Sequence, residues 1–336
     1  MKILYVAEAI KGSRALQRFH ALKKLHPSAE LFLYENNQHG INGGGSIAYK
    51  IAYKLRRPLE FNSVNKRLTS EFSRLIPDVI IFEKCLALHP KTYALSKALG
   101  TMNIAIFEDD ICLKHNSSIY LDRSFRYFDY VFTTKEKNVG QELQMRGVNK
   151  SFLVEPSFCE IVFPLLDHSD ELIHYKYDVS FIGTFESERA DYVLSLLQNG
   201  IPVNVWGNGW EKMHHSKLFI YPALYENDYR AIISTSKINL CFLRKKNRDS
   251  ITSRSIEIPA SGGFMLAEDT ERHRHIFGNE GAAYFITKED LLTQVQHFLG
   301  NEQLRKKMAL KGNKIVRDKN LRHEDLFKFI YNVIQK

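Results

Sequence analysis

The feature that most constrains this chain is an alternation that runs along its length. A short continuous apolar run is followed by a stretch with helical period, then by another apolar run. "KILYVAE" (2–8), "ELFLYE" (30–35), "DVIIFE" (78–83), "NIAIFED" (103–109), "YVFTT" (130–134) and "SFLVEP" (151–156) read as strands. Between the first two, "SRALQRFHALKKL" (13–25) places Leu16, Phe19, Leu22 and Leu25 on one helical face. Further helices are expected near 46–56 and 63–75, over "PKTYALSKAL", and up to Gly147. Strands that are apolar on both faces belong in parallel sheets covered by helices on both sides.

The alternation lapses over "FCEIVFPLLDHSDELIHYK" (158–176), which is the expected interdomain linker, and then restarts. "DVSFIGTF" (178–185), "PVNVWGNG" (202–209), "LFIYPAL" (218–224), "INLCFL" (238–243) and "FMLAE" read as strands. "ERADYVLSLLQNG", "ENDYRAIISTSK", "KEDLLTQVQHFLG", "EQLRKKMALKGNKIV" and "HEDLFKFIYNVIQK" read as helices. A chain of 336 residues exceeds one ordinary core. The expectation is therefore an α/β protein of two Rossmann-like domains facing across a cleft, with ligands at the carboxyl ends of the strands. The expected divisions are 1–165, 166–318 and a C-terminal helix, 319–336, packing back on the first domain.

Composition narrows the setting. Hydrophobic residues at 44% and charged residues at 25% describe a globular chain and exclude a disordered one. No apolar run reaches the ~18–20 residues that a membrane helix needs. The opening "MKILYVAEAIKGSR" meets Glu8 and Lys11 too soon for a signal peptide and is expected to be the first strand. Cys85, Cys112, Cys159 and Cys241 lack any C-x-x-C spacing and are expected as free thiols in a reducing compartment. His214-His215 and His273-Arg274-His275 lack metal-ligand spacing, so surface or packing roles are expected, and no metal. The expected location is the cytoplasm. A formal charge of +9 favours an anionic partner, yet no nucleic-acid-binding signature is present.

The stretch "TSRSIEIPASGGFMLAED" (252–269) concentrates the chemistry. The loop before it carries Arg244, Lys245, Lys246 and Arg248, and Arg254 follows within the stretch. Thr252 or Ser253 is suited to cap a helix start, where free N–H groups and nearby cations make an anion site. Glu257 falls in the first turn or so. A carboxylate there suits a vicinal diol such as a ribose, or alternatively a salt bridge to Arg254. Pro259 shortens or kinks the helix. Gly262 and Gly263 end it and permit close backbone approach to a ligand.

"RSIEIPASGGFMLAED" resembles the donor-site signature of GT-B glycosyltransferases, nearest the group-1-like branch that includes the spore-maturation-protein-like glycosyltransferases. Asp249, seven intervening residues and Glu257 follow the E-x7-E spacing of the retaining enzymes, with Asp in place of the first Glu. The segment 177–210 is similar to the opening of the family's donor domain, and "IFEDD" followed by "YFDYVFTT" resembles its acidic strand end on the acceptor side. The resemblance implies that Glu257 holds the nucleotide ribose, that Asp249 and Ser253 belong to the donor site, and that Gly183, Thr184 and Arg189 border the donor diphosphate. It places Gly207 and Gly209 at the same edge. It also implies that Arg189, Arg244 and Arg254 stabilise the leaving diphosphate without a metal or other cofactor.

On the acceptor side, Asp109 and Asp110 stand at a strand's carboxyl end. Either could be a general base or a loop acid, and in a retaining enzyme Asp109 would mainly orient the acceptor. Glu8 and His115 are weaker candidates. Trp206 and Tyr221 either flank the base or belong to the core. "SIAYKIAYKLRRP" (46–58) either touches anionic lipid or a lipid-linked acceptor, which would place the protein at the inner face of the membrane, or lies on the surface with Ile47, Ile51 and Leu55 turned to the core. The expected activity is transfer of a sugar from a nucleotide-diphosphate-sugar to a saccharide, lipid-linked or protein acceptor, in bacterial surface glycan assembly. A sugar-nucleotide epimerase of the same fold and a non-catalytic nucleotide-sugar binding protein are the alternatives. A dinucleotide-dependent oxidoreductase is disfavoured, since no G-x-G-x-x-G follows a strand.

Overall fold

Period-two burial splits the side chains of each central strand between two cores. In β1 (Lys2–Ala7), Leu4 and Val6 join one core while Ile3, Tyr5 and Ala7 join another. A computed structural model, which describes residues 1–36, 47–60, 62–164 and 174–335, shows the pattern in two compact units. The first unit is Met1–Glu155 with His323–Lys336, and the second is Pro156–Arg322. The glycine-rich loop 39–45 and residues 165–173 of the expected linker lie outside the described residues. The expected division at 165/166 falls inside the second unit, because Phe158, Cys159, Val162 and Phe163 pack into one of its cores.

The first unit holds β1, β2 (Glu30–Glu35), β3 (Val79–Glu83), β4 (Met102–Phe107), β5 (Tyr130–Thr133) and β6 (Ser151–Leu153), all parallel, in the order 2-1-3-4-5-6. Phe72 of the helix Val64–Leu75 covers one face, while Phe19 of Arg14–Leu25 and Phe327 of His323–Ile334 cover the other. The strand order reverses between β1 and β3. Arg18 lies fully buried near this reversal, bonded to Glu83 at the end of β3 and to Glu108 just after β4. The Tyr5 hydroxyl donates to Glu83 as well. Arg14 and Arg18 hold Glu108 well below the usual carboxylate range despite its burial.

The second unit holds β7 (Tyr177–Ile182), β8 (Val203–Trp206), β9 (Leu218–Tyr221), β10 (Ser236–Cys241), β11 (Met265–Glu268) and β12 (Ala283–Phe285). They are parallel, in the order 12-11-10-7-8-9, with the reversal between β7 and β10. This is the doubly wound arrangement of dinucleotide-binding domains. β12 and the helix Glu271–Phe277 add to the elements expected from sequence.

The helix Ser253–Ala260 links β10 to β11, and its two ends are fixed differently. At the start, the Ser255 hydroxyl accepts from the Thr252 N–H at 3.2 Å and meets His273 Nε2 at 2.7 Å. His273 Nδ1 lies 2.7 Å from the Glu268 carbonyl, which can only accept. The proton therefore sits on Nδ1, and Ser255 donates to Nε2. At the far end, the amide of Asn313 donates to the carbonyls of Pro259 and Ala260 at 2.8 and 3.1 Å. Gly262 adopts φ +75°, and Gly263 packs so tightly that a Cβ would stand 2.4 Å from Ile233 Cγ2.

Two outcomes are expected. Arg18→Met leaves the Glu83 carboxylate buried without its cation and should cost the first unit about 3–5 kcal/mol, part of which Arg18→Met/Glu83→Leu should return. Hydrogen exchange of the β1 and β3 amides checks this, and unchanged protection in the single variant would refute it. Burial pushes the His273 imidazolium down to about 4, so the ring is neutral when folded. Its contribution is complete above the unfolded value near 6.5 and is lost as pH falls from there towards 4, by about 3 kcal/mol. Both tryptophans, Trp206 and Trp210, belong to the second unit. Their fluorescence during urea unfolding should show this loss in the native chain and a shallower slope in His273→Gln.

Candidate active site

In the second unit, the carboxyl ends of β7 and β10 lie beside one another, and three arginines gather at them. Arg254, in the first turn of the helix Ser253–Ala260, turns its Nε to the carbonyl of Ile182, the last residue of β7. Arg189, from the helix Ser187–Gln198, donates Nη1 to the Thr184 carbonyl at 3.1 Å. The two guanidinium carbons lie 5.6 Å (Arg189) and 5.7 Å (Arg254) from the Phe181 ring centroid. Arg244, just past β10, bonds Glu186 at 2.9 Å, and Glu186 also lies 3.7 Å from Arg189.

Arg189 is the unusual member. Its side chain is only 3% exposed, and its Nε and Nη2 have no hydrogen-bond partner among the described residues. Burial and then the charge of Arg254 bring its pKa down to about 10, with Arg244 acting in the same direction and Glu186 opposing. A dry guanidinium beside two others, with the donors of Nε and Nη2 unmet, is an incomplete arrangement that an anion would complete.

The backbone around these cations is pressed close. The Gly183 N–H donates to the Trp206 carbonyl at 2.8 Å, and the Gly183 carbonyl accepts from Trp210 Nε1 at 2.8 Å. At Gly207, φ is +150°, and a Cβ would stand 2.3 Å from the Gly183 carbonyl oxygen. Gly207 is therefore required for the β7 and β8 loops to meet. Gly183 itself could carry no side chain without displacing Arg254 Nη2, which lies 2.9 Å from where the Cβ would be. Thr184 is exposed beside it.

Glu257 is buried about one turn into the helix Ser253–Ala260, and its Oε2 accepts from the Tyr229 hydroxyl at 3.0 Å. Burial, then Glu257, pushes the Tyr229 phenol up, while Arg254 opposes. Ser253, at the first helical position, is buried with it. Asp249 closes its own loop: it accepts from the Arg244 N–H at 3.3 Å and from the Asn247 amide at 2.8 Å. Glu268, at the end of β11, accepts from the Leu243 N–H at 2.7 Å, and burial raises its pKa.

Two expectations need correction in the second unit. Gly262 and Gly263 were assigned to ligand approach, but they follow the end of the helix and precede β11. In a parallel sheet that is the edge opposite to Gly183 and Arg189. The space a side chain would take at Gly263 is filled by Ile233 and Asn239, so these glycines serve helix termination and packing. Trp206 is 3% exposed and stacks on Tyr221 with centroids 4.7 Å apart, so of its two readings the core one applies.

In the first unit, the carboxyl ends of β3 and β4 carry the acids. Asp109 pairs with Lys84 and keeps 22% of its side chain exposed. Asp110 is fully buried, accepting from the Asn138 amide at 2.7 Å and from the Cys112 N–H at 3.2 Å. It belongs to the loop's internal frame and is corrected from a base to an anchor. Ligand atoms of Asp110, Cys112 and Glu142 lie within 4.8 Å of one another. However, the Asn138 amide already donates to both carboxylates, and burial pushes the Cys112 thiol up to about 12, against metal binding. Three of the free cysteines are buried and Cys112 is partly so.

Sequence reading left out Glu186, Tyr229, Glu268 and Trp210. Each partners a residue far away in the chain; Glu186 and Trp210 lie in the segment 177–210 and Glu268 in "FMLAED", both stretches already singled out, whereas Tyr229 lies in a helix that carried no such signal.

Residues 189–324 match the model of a family described as glycosyl transferase-like, a span that holds Arg189, Arg244, Arg254 and Glu257. No curated protein matches the chain in sequence. Among solved structures, Anabaena HepE in complex with UDP and glucose is similar with a TM-score of 0.68 at 10% identity, covering 100% of this chain and 99% of that one. Sucrose-phosphate synthase from Thermosynechococcus elongatus has a TM-score of 0.67 at 9% identity, covering 99% of both. UDP-GlcNAc 2-epimerase from Neisseria meningitidis bound to UDP-GlcNAc has a TM-score of 0.57 at 10% identity, covering 100% of both. These structures share the arrangement of two Rossmann-like domains, each with a six-stranded parallel sheet in this chain. The chain therefore has the two-domain GT-B glycosyltransferase fold, with residues 189–324 matching the glycosyl transferase-like family.

Proposed function

We propose that this protein is a glycosyltransferase that moves a sugar from a nucleotide-diphosphate-sugar to a hydroxyl of a saccharide, lipid-linked or protein acceptor. The observation that carries this reading is the half-satisfied, buried Arg189 beside Arg254 and Arg244 at the reversal between β7 and β10. As the bond from the anomeric carbon to the diphosphate breaks, negative charge grows on the leaving oxygen. Guanidinium groups fixed before the reaction stabilise that charge more than they stabilise the bound donor. This puts the charge compensation on side chains and leaves no step that requires a metal or other cofactor. Anabaena HepE is in complex with UDP and glucose and the Neisseria meningitidis epimerase is bound to UDP-GlcNAc, which makes a uridine donor the first to test.

In this reading Glu257 accepts hydrogen bonds from the ribose hydroxyls, with Tyr229 holding its carboxylate in place. Asp249 shapes the loop that carries Arg244. Asp109, the acid of its pair with exposed surface, accepts or orients the acceptor proton, and Lys84 pairs with it. The donor class supports a cytoplasmic setting, and the resemblance of the site stretch supports a role in surface glycan assembly.

Calorimetry tests the donor side. Arg189→Met should weaken UDP binding ~10–100-fold, the value of one or two charged hydrogen bonds, with Arg189→Lys in between. Glu257→Gln should weaken UDP about tenfold while leaving inorganic pyrophosphate unchanged, since only UDP carries the diol. Equal affinity of native and Glu257→Gln protein for UDP would remove the ribose assignment, and no nucleotide binding at all would remove the transferase reading. On the acceptor side, Asp109→Asn should lower kcat for transfer ~100-fold with UDP affinity intact. Asp110→Asn should lower thermal stability instead. Epimerised free nucleotide-sugar in place of a transferred sugar would select the epimerase alternative.

A further inference from the structure

Of the two readings of the helix Ile47–Lys54, the one that turns Ile47, Ile51 and Leu55 to the core does not hold. Tyr49 turns inward and is buried, whereas Ile47, Ile51 and Leu55 are 77%, 53% and 63% exposed. Spaced four apart, these three form one outward stripe. Lys50 and Lys54 flank it, both exposed, and exposed Arg57 and Leu59 continue it. No acid occurs from Ile47 to Leu59. The C-terminal end of the helix is pinned. Arg56 accepts from the Ile119 N–H at 2.8 Å, donates Nε to the Lys114 carbonyl at 3.0 Å, and pairs with Asp122. Arg56 is thus occupied within the fold, while Lys50, Lys54 and Arg57 point their charge outward.

We infer that this face docks on an anionic lipid surface. The stripe supplies the apolar depth and the flanking cations supply attraction to acidic headgroups. At 1.5 Å per residue the helix is about 12 Å long, so it lies on a bilayer and does not span it. No helix among the described residues is long and apolar enough to cross one. A second copy of the chain fits worse: a twofold contact through this stripe would bring the Lys50 and Lys54 pair of one copy close to the same pair of the other. A nucleic acid would use the cations and leave Ile47, Ile51 and Leu55 in water.

This inference does not depend on the donor reading, because vesicle binding needs no nucleotide. The test is co-sedimentation of the full chain with phosphatidylglycerol–phosphatidylcholine vesicles and with phosphatidylcholine vesicles alone. Binding to the anionic vesicles should exceed binding to the neutral ones at least ~10-fold and should fall as salt rises. Ile51→Asn/Leu55→Asn and Lys50→Gln/Lys54→Gln should each weaken it ~10-fold, with UDP affinity and thermal stability unchanged as controls of folding. Equal binding to both vesicle types, no binding, or native binding by both double variants would overturn the inference. So would a dimer in sedimentation velocity that Ile51→Asn/Leu55→Asn dissociates, since the stripe would then be a contact between copies.

Discussion

Both sheets are parallel throughout, and that constraint decides which residues can act together. Each strand delivers its loop to the same edge, so helix starts gather on one side of a sheet and helix ends on the other. Arg189, Arg244 and Arg254 come from three separate segments, yet all stand at strand carboxyl ends. The reversal between β7 and β10 adds room there, because the helices leaving these two strands run to opposite faces. The same constraint removes Gly262 and Gly263 from the site, although they lie only a few residues beyond Glu257. The helix between them crosses from one edge to the other.

The cations at this edge are held against their own repulsion by particular bonds. Arg254 is tied to the β7 backbone and Arg244 to Glu186, so neither can swing away to relieve Arg189. Gly207 lets the β8 loop press on the Gly183 carbonyl, and Trp210 bonds that carbonyl from another direction. The frame is thus built before any ligand arrives. Such preorganisation is what lets charge stabilisation act at the moment of bond breaking, without first reorienting the groups that supply it.

Much of this was legible in the chain, for definite reasons. Continuous apolar strands such as "VIIFE" announce burial on both faces, so the parallel architecture could be read directly. Glu257 stands out in the sequence because its neighbours form a dense local signal. β12 could not, since "AYF" is too short to show a period. Ile47, Ile51 and Leu55 admit two readings from sequence, because four-residue apolar spacing normally marks a buried face while Tyr49 competes for burial with a larger ring. His273 and Tyr229 were invisible as site supports because their partners, Ser255 and Glu257, lie 18 and 28 residues away.

Asp109 and Asp110 show how adjacent residues with one chemistry acquire different surroundings. Both follow β4, and successive side chains there point in different directions. Asp110 turns inward, where Asn138 and the Cys112 N–H satisfy it, and fixes the loop. Asp109 turns to Lys84, with part of its surface exposed. A base must reach a proton that arrives from outside, so a carboxylate saturated by internal donors is excluded on geometry before any pKa is considered. The rigidity that Asp110 gives the loop is then what keeps Asp109 in one place, and losing the anchor would disperse the acid that depends on it.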